Sequence, residues 1–408
     1  MKNRVGLFNQ ANSRFALLFL SLFLVHSPLV WADGDSAFPV KIYGFVLPTI
    51  TESSSAVESF SQPNAGAYTA AGNPVLAYNP GQARLTFQVA QSRFGFLIGD
   101  KNLQGRFEFD LINFTLASPT TASMPRVRRA TVQYALNDTD MLLMGQDWDL
   151  FSPMTPHTYN FVGHYFESGD LGFMRQQLIW LHTANNFELG AALGLQTANA
   201  TANDNLIELS NIPTLALRTG YINGQDRLGV SAIATYLLVD RAAGIYLPAY
   251  GMTAFFEKMF GDGAFNLRTE VYWGRNLANL GTLSLAFGNA SSDVSEAGGW
   301  FTGKFKLGEK SAIFGGLGFA GVLNPGSMLA SYKFSSGVYS LNSPSTGPGM
   351  EKNGTARLGY EYFPLKNVSL FTELAYLNSV HHLLAADIGN YNANPWAVVG
   401  QAGMMLTF

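Results

Sequence analysis

Across 408 residues the chain carries 25 Lys and Arg against 28 Asp and Glu, a formal net charge of −3, and charged residues make up only 13% of it, against about 25% in ordinary soluble domains. No basic run points to nucleic acid, and the absence of cysteine excludes a lipid-anchored N-terminal thiol, a disulfide and a thiolate metal site. Gly (42 residues) and aromatics (13%) are abundant, yet beyond the N-terminal segment no continuous apolar run reaches the ~20 residues of a membrane-spanning helix.

The chain opens with Lys2 and Arg4, followed by an apolar core from Phe15 to Val25 and then Val30-Trp31-Ala32. A positive start, a short apolar core and a small-residue cleavage pattern make a secretory signal peptide, so 1–32 is expected to be removed and 33–408 to fold after export. An exported chain poor in charge, rich in aromatics and without spanning helices fits the other structure a bilayer tolerates, a closed β-barrel with every backbone group paired between strands.

Sixteen segments of β-type composition succeed one another along the chain. They are Pro39 to Ile50, Ala83 to Ile98, Asn102 to Phe114, Arg126 to Leu136, Met141 to Trp148, Phe173 to Thr183, Phe187 to Gln196 and Leu215 to Tyr221. The second half gives Arg227 to Val239, Ala249 to Phe260, Gly263 to Arg275, Glu296 to Lys306, Ser311 to Val322, Gly354 to Tyr362, Val368 to Asn378 and Trp396 to Phe408. The connections alternate in length. Tight ones such as Gly99-Asp100-Lys101, Ala184-Asn185-Asn186 and Gly261-Asp262 are separated by long ones at 51–82, 115–125, 149–172, 197–214, 240–248, 276–295, 323–353 and 379–395. Short turns on one rim, long loops on the other and an even strand number describe an antiparallel transmembrane barrel in a bacterial outer membrane, in contact with lipid and lipopolysaccharide. A soluble sandwich has no reason to sort its loops this way.

The strand faces agree. Phe107, Phe109 and Leu111 alternate with Arg106, Glu108 and Asp110; Phe265, Leu267, Val271 and Trp273 alternate with Asn266, Arg268, Glu270 and Tyr272; Leu358, Tyr360 and Tyr362 alternate with Arg357 and Glu361. Charges on one face are tolerable if that face borders water. The outside is expected to be apolar and the lumen wet.

The connection 149–172 is much longer than the ~4 to 6 residues usual in compact folds. Phe151, Tyr159, Phe161, Tyr165 and Phe166 make it too aromatic for easy disorder. It comes after the fifth strand and is the third long loop, and in the general bacterial porins the loop in that position folds inward and forms the constriction. The stretches RVRRATVQY (126–134), MLLMGQDWDLFSP (141–153) and DLGFMRQQLIW (170–180) resemble the DcaP-like trimeric porins, with an arginine-rich strand, a GQ-x-W strand end and an Arg after the loop. The resemblance covers roughly fifty residues. It implies a sixteen-stranded barrel with an inward-folded third loop, a homotrimer, and passive passage of small hydrophilic solutes, preferably anions such as dicarboxylates. Only Asp33 to Phe38 precede the first strand, so trimerisation is expected from barrel walls and loops.

The candidate site is an electrostatic eyelet. Arg84, Arg93, Arg106 and Arg129 are assigned to the lumen on neighbouring strands, facing Asp147, Asp149, Glu167 and Asp170 of the loop region, with Glu108 and Asp110 nearby. Opposed charges across a narrow opening orient and select solutes; the competing reading is that the arginines pair with Glu108 and Asp110 to brace the wall. Adding Arg218, Arg268 and Arg357 against Glu270, Glu361 and Glu373 leaves a modest basic excess. Other signals deflate. Gly316 to Gly321 spells G-x-G-x-x-G inside a strand pattern with no helix after it, and His157 with His164, or His381-His382, lack a third ligand at metal-binding spacing. No catalytic set, cofactor or metal is nominated. The alternatives are a monomeric substrate-specific channel, a plugged surface barrel, and a barrel-embedded hydrolase.

Overall fold

The structure is a computed structural model that describes residues 39–54, 84–112, 125–160, 165–172, 174–195, 212–240, 245–280, 294–325, 331–335, 338–342, 349–382, 394 and 396–408. The expected signal peptide lies outside the described residues.

One continuous antiparallel sheet closes on itself as a sixteen-stranded barrel. In chain order the strands are β1 (Val40–Val46, continued by Thr49–Ser53), β2 (Arg84–Gln88, continued by Arg93–Gly99), β3 (Leu103–Asp110), β4 (Arg126–Ala135), β5 (Asp140–Trp148), β6 (Met174–Ala184), β7 (Phe187–Gly194) and β8 (Thr214–Asn223). They continue as β9 (Asp226–Asp240), β10 (Ile245–Phe260), β11 (Phe265–Arg275), β12 (Ser295–Lys306), β13 (Ser311–Val322), β14 (Gly349–Leu365), β15 (Val368–His382) and β16 (Trp396–Thr407). Each strand pairs with its sequence neighbours, and β1 pairs with β16, Thr49 opposite Gly403, so no strand edge is left open. Gly44 and Phe408 seal the seam with two reciprocal backbone hydrogen bonds of 3.1 Å.

The wall is apolar on one face and polar on the other. Along β15, Leu370, Leu374 and Tyr376 are exposed while Ser369, Glu373 and Ala375 are buried. On β14, Leu358, Tyr360 and Tyr362 are exposed and Arg357 and Glu361 buried. Large apolar groups outside and charges inside invert a water-soluble fold, and suit a barrel surrounded by hydrocarbon.

Turn chemistry sets the short rim. Asn185 and Asn186 take φ of 50° and 68°, the left-handed pair that a two-residue type I′ hairpin requires and that Asn tolerates. At the other end of the barrel the sequence boundaries need adjustment. The connection expected at 240–248 shrinks to 241–244, because β9 and β10 run for 15 and 16 residues and stay paired out to Asp240 and Ile245. The eighth strand is longer than Leu215 to Tyr221, and a separate hairpin, Ser331–Ser335 with Val338–Asn342, forms within the seventh long connection.

The first two strands are each broken once, side by side. Pro48 has no N–H to give to the ladder, and a turn closed by Ser92 N–H donating to the Val89 carbonyl (2.9 Å) interrupts β2. The Leu47 N–H donates to Ser92 Oγ at 3.0 Å, which ties the breaks together. Leu47 becomes fully buried and packs in one cluster with Tyr159, Phe314 and Phe371.

Candidate functional site

Beyond β5 the chain turns at once: Asp149 Oδ1 accepts the N–H groups of Phe151 (3.1 Å) and Ser152 (3.2 Å). From there the connection is anchored to strands far away in sequence, always on their charged face. The Phe151 carbonyl accepts the hydroxyls of Ser231 and Thr253. Glu270 on β11 accepts the Ser152 hydroxyl and the Met154 N–H. The His157 N–H donates to Thr302 on β12 at 3.2 Å, and its Nε2 lies 2.6 Å from Asn266 Oδ1. Glu373 on β15 accepts the Thr158 hydroxyl and the Tyr159 N–H, both at 2.9 Å. The Tyr159 hydroxyl donates to Glu361 at 2.8 Å and its ring stacks on Phe371 at 3.9 Å. Farther on, Asn353 Nδ2 donates to Ser168 Oγ and the Tyr165 ring lies 3.9 Å from the Arg357 guanidinium.

The glycine motif on β13 belongs to this contact. A Cβ on Gly318 would collide with the Ser168 carbonyl oxygen and the Tyr165 ring, and one on Gly169, at φ +113°, would strike Gly299. The absence of side chains lets two backbones approach where any larger residue would hold them apart.

Three glutamates thus grip the connection through neutral donors, and they are almost fully covered: Glu270 is 0% exposed, Glu361 2% and Glu373 3%. The connection's own acids are also covered. Burial raises the Asp149 carboxyl above its usual range although Arg175 lies 3.6 Å away. Burial lifts Asp170 to about 7, against a hydrogen bond from the Gly172 N–H and with Asp149 adding repulsion. His157 is pushed down to about 3 by burial and by the cations Arg268 and Lys304, so its imidazole is neutral at ordinary pH.

The opposite wall is built from arginines. In β4 a β-bulge lies between the pairs Glu108–Arg129 and Phe109–Val127. The bulge turns Arg126 and Arg128 to the same side as Arg129, where strict alternation would separate them. Arg126 Nε donates to Asp110 (3.0 Å), and Arg128, only 1% exposed, bridges Glu108 (3.0 Å) and Asp110 (3.1 Å). These four brace β3 against β4. Arg129 Nε is 2.7 Å from Asp147 Oδ1. Arg93, Arg106 and Arg129 line a cavity of about 420 Å³ that also touches Asp147, Asp149, Asp170, Arg218 and Arg227. Arg218 is paired to Glu188 at 2.6 Å, while Arg106 has no carboxylate within ion-pair distance among the described residues.

No protein-family model matches the chain, and no curated protein sequence does. Among solved structures it is similar to the outer membrane channel DcaP of Acinetobacter baumannii, at 12% identity and a TM-score of 0.65 over 92% of this chain and 99% of that one. It is also similar to the anion-selective porin from Comamonas acidovorans (13%, TM-score 0.56, 91% of this chain and 100% of that one) and to OprB of Pseudomonas putida (12%, 0.51, 90% and 94%). The chain has the fold of the bacterial outer-membrane porins.

Within that porin fold, the residues expected at the eyelet divide. Arg93, Arg106, Arg129, Asp147, Asp149 and Asp170 border one cavity; the side chain of Arg84, like His164 and Phe161, lies outside the described residues. The opposed arrangement of charges needs correction. Asp147 stands inside β5 beside Arg129, Asp149 sits against Arg175, and Glu167 and Asp170 are 9% and 6% exposed. A carboxylate leaving water needs donors or a cation in contact, and adjacent groups satisfy that need before the far wall can. Glu108 and Asp110 fit the bracing reading, with Arg126 and Arg128 as partners. Arg268 lies elsewhere, on Glu257 at 2.8 Å, and Arg357 is buried against Glu373. The sequence held a signal for the missed Arg126 and Arg128. Polar positions fall at 126 and 128, then at 129, 131 and 133, a one-residue phase slip that marks a bulge.

Proposed function

We propose that the chain is an outer-membrane porin, a passive diffusion channel for small hydrophilic solutes that prefers anions, dicarboxylates among them. The observation that carries the preference is the asymmetry of cover. Asp147, Asp149 and Asp170 border the same cavity as Arg93, Arg106 and Arg129, but these acids and those of β11, β14 and β15 are buried, whereas the three arginines are only half-buried. A solute in that space meets a wall of positive potential, which raises the local concentration of anions. The connection 149–172 folds across the barrel and forms the constriction. Arg93, Arg106 and Arg129 are the selecting residues, and Arg126 and Arg128 hold them in register. The protein assembles as a homotrimer through barrel walls and loops, in a leaflet of lipopolysaccharide. Selection is by size and field, with no covalent step.

The test is a planar bilayer recording of the mature chain under a salt gradient. Steps grouped in threes and a reversal potential on the anion side support the reading. Absence of conductance from a folded, heat-modifiable barrel overturns it and favours a plugged surface barrel.

A further inference from the structure

A second cavity, of about 480 Å³, lies at the short-turn rim, bounded by Gly224 and Gln225 of the β8–β9 turn and Gly263 of the β10–β11 turn. Its polar lining is Arg227, Arg268, Lys304, Lys306, Glu257 and His157, with Asn266 behind. The cations are of two kinds. Arg268 leans on Glu257 at 2.8 Å and Lys304 on Glu361. Arg227 and Lys306 are exposed, and neither has a carboxylate within ion-pair distance among the described residues. Lys304 also lies 5.6 Å from the Phe363 ring centre, so part of its charge is already engaged. Glu257 is the one acid among the described lining residues. Burial first, and then the nearby cations Arg268 and Lys304, lower the basicity of His157. The imidazole itself adds no charge.

Such a concentration of cations in a concavity is costly unless anions share it, because like charges with little compensation repel at short range. We propose that this rim cavity is a distinct binding station for a small dianion bearing oxygen acceptors, with Arg227 and Lys306 as its primary contacts and Arg268 and Lys304 as its flanks. Two uncompensated cations match two negative charges. A guanidinium offers a planar fork to a carboxylate or phosphate oxygen pair, and an ammonium offers a mobile point charge. Arg227 lines this cavity and the arginine-walled one alike, and therefore hands the anion from one to the other. The station rests on the porin reading and deepens it: anion transit takes two steps, one at the arginine wall and one at the rim.

The experiment uses single channels of the full mature protein, with inorganic phosphate or succinate added to one face of the bilayer at a time while chloride current is read. Arg227→Gln combined with Lys306→Gln should weaken block from one face about five- to tenfold, and from the other less than twofold. Because Arg227 also borders the arginine-walled cavity, the chloride reversal potential should move as well, but less than in Arg106→Gln, which should leave the rim block in place. If the double variant blocks like the unchanged protein from both faces, the rim station is overturned and the porin reading stands. If the unchanged protein shows no anion preference at all, the porin preference itself fails, which a gradient recording reads before any blocker is added. Unaltered step conductance and heat-modifiability of the double variant establish that it is folded, and Arg227→Lys should restore part of the block, as a charge role demands.

Discussion

The two sides of the lumen use charge in opposite ways. On β11, β14 and β15 the buried acids Glu270, Glu361 and Glu373 accept hydroxyls and N–H groups of the connection 149–172, and Lys304 and Arg357 pair with the last two. On β2, β3 and β4 arginines dominate: Arg126 and Arg128 are locked to Glu108 and Asp110, Arg129 is paired with Asp147, and Arg93, Arg106 and Arg129 border the cavity. On the porin reading proposed above, docking of the connection on the acidic side would remove negative charge from the lumen and leave the basic side in contact with water. On that reading the ion preference depends on what the connection covers and not on the chain's formal net charge of −3.

Variants on the docking side should cost stability and disturb the opening; variants on the arginine side should change selectivity alone. The largest effect is expected from Glu373→Ala. It strands the Arg357 guanidinium, whose side chain is 0% exposed, and removes the acceptor of Thr158 and Tyr159. Breaking a buried pair by deleting one partner costs about 3–5 kcal/mol, to be read from urea unfolding in lipid vesicles, with larger and noisier conductance in bilayers. Gly318→Leu comes next. Forcing a side chain between β13 and Tyr165–Ser168 costs about 1–3 kcal/mol and should free the connection without touching a charge, so flickering current with unaltered ion preference is the expected record.

On the arginine side, Arg106→Ala should lower the anion-to-cation permeability ratio about two- to fivefold with unfolding within about 0.5 kcal/mol of the parent. Arg129→Ala should shift selectivity further toward cations, since it also uncovers Asp147, and Arg129→Ala with Asp147→Asn should return most of the shift. An ion preference left unchanged by Arg129→Ala would place Arg129 outside the opening.

The smallest effect joins the two sides through pH. Asp170 has its folded pKa raised to about 7 by burial, by Asp149 and against the Gly172 amide and Arg357. A carboxyl whose folded pKa lies above its unfolded value stabilises the fold when protonated. That contribution is complete below the ordinary carboxylate range near pH ~4 and is lost as pH rises through about 7. Docking of the connection should therefore loosen modestly as pH rises from about 4 to about 7 and change little above that, seen as increased current noise, and Asp170→Asn should abolish the step. Noise that rises on acidification instead would contradict the assignment.

The barrel was legible in the chain's local patterns. Strand alternation and the sorting of short turns from long loops are local properties, repeated along the chain, and they survive into the structure in β3, β11 and β14 with their faces as expected. The stretch 149–172 stood out for the same kind of reason, because a long aromatic segment needs a surface to cover. Which charges meet was settled only on folding. Glu270, Glu361 and Glu373 lie more than a hundred residues from Ser152, Tyr159 and their neighbours, and no pattern in either stretch encodes the other. The same holds for Asp147 and Asp149, which the sequence sets at the loop's threshold and the fold gives to Arg129 and Arg175. Carboxylates leaving water take the nearest available cation or donor, and nearness is fixed only when the sheet has closed and the bulge in β4 has set its register.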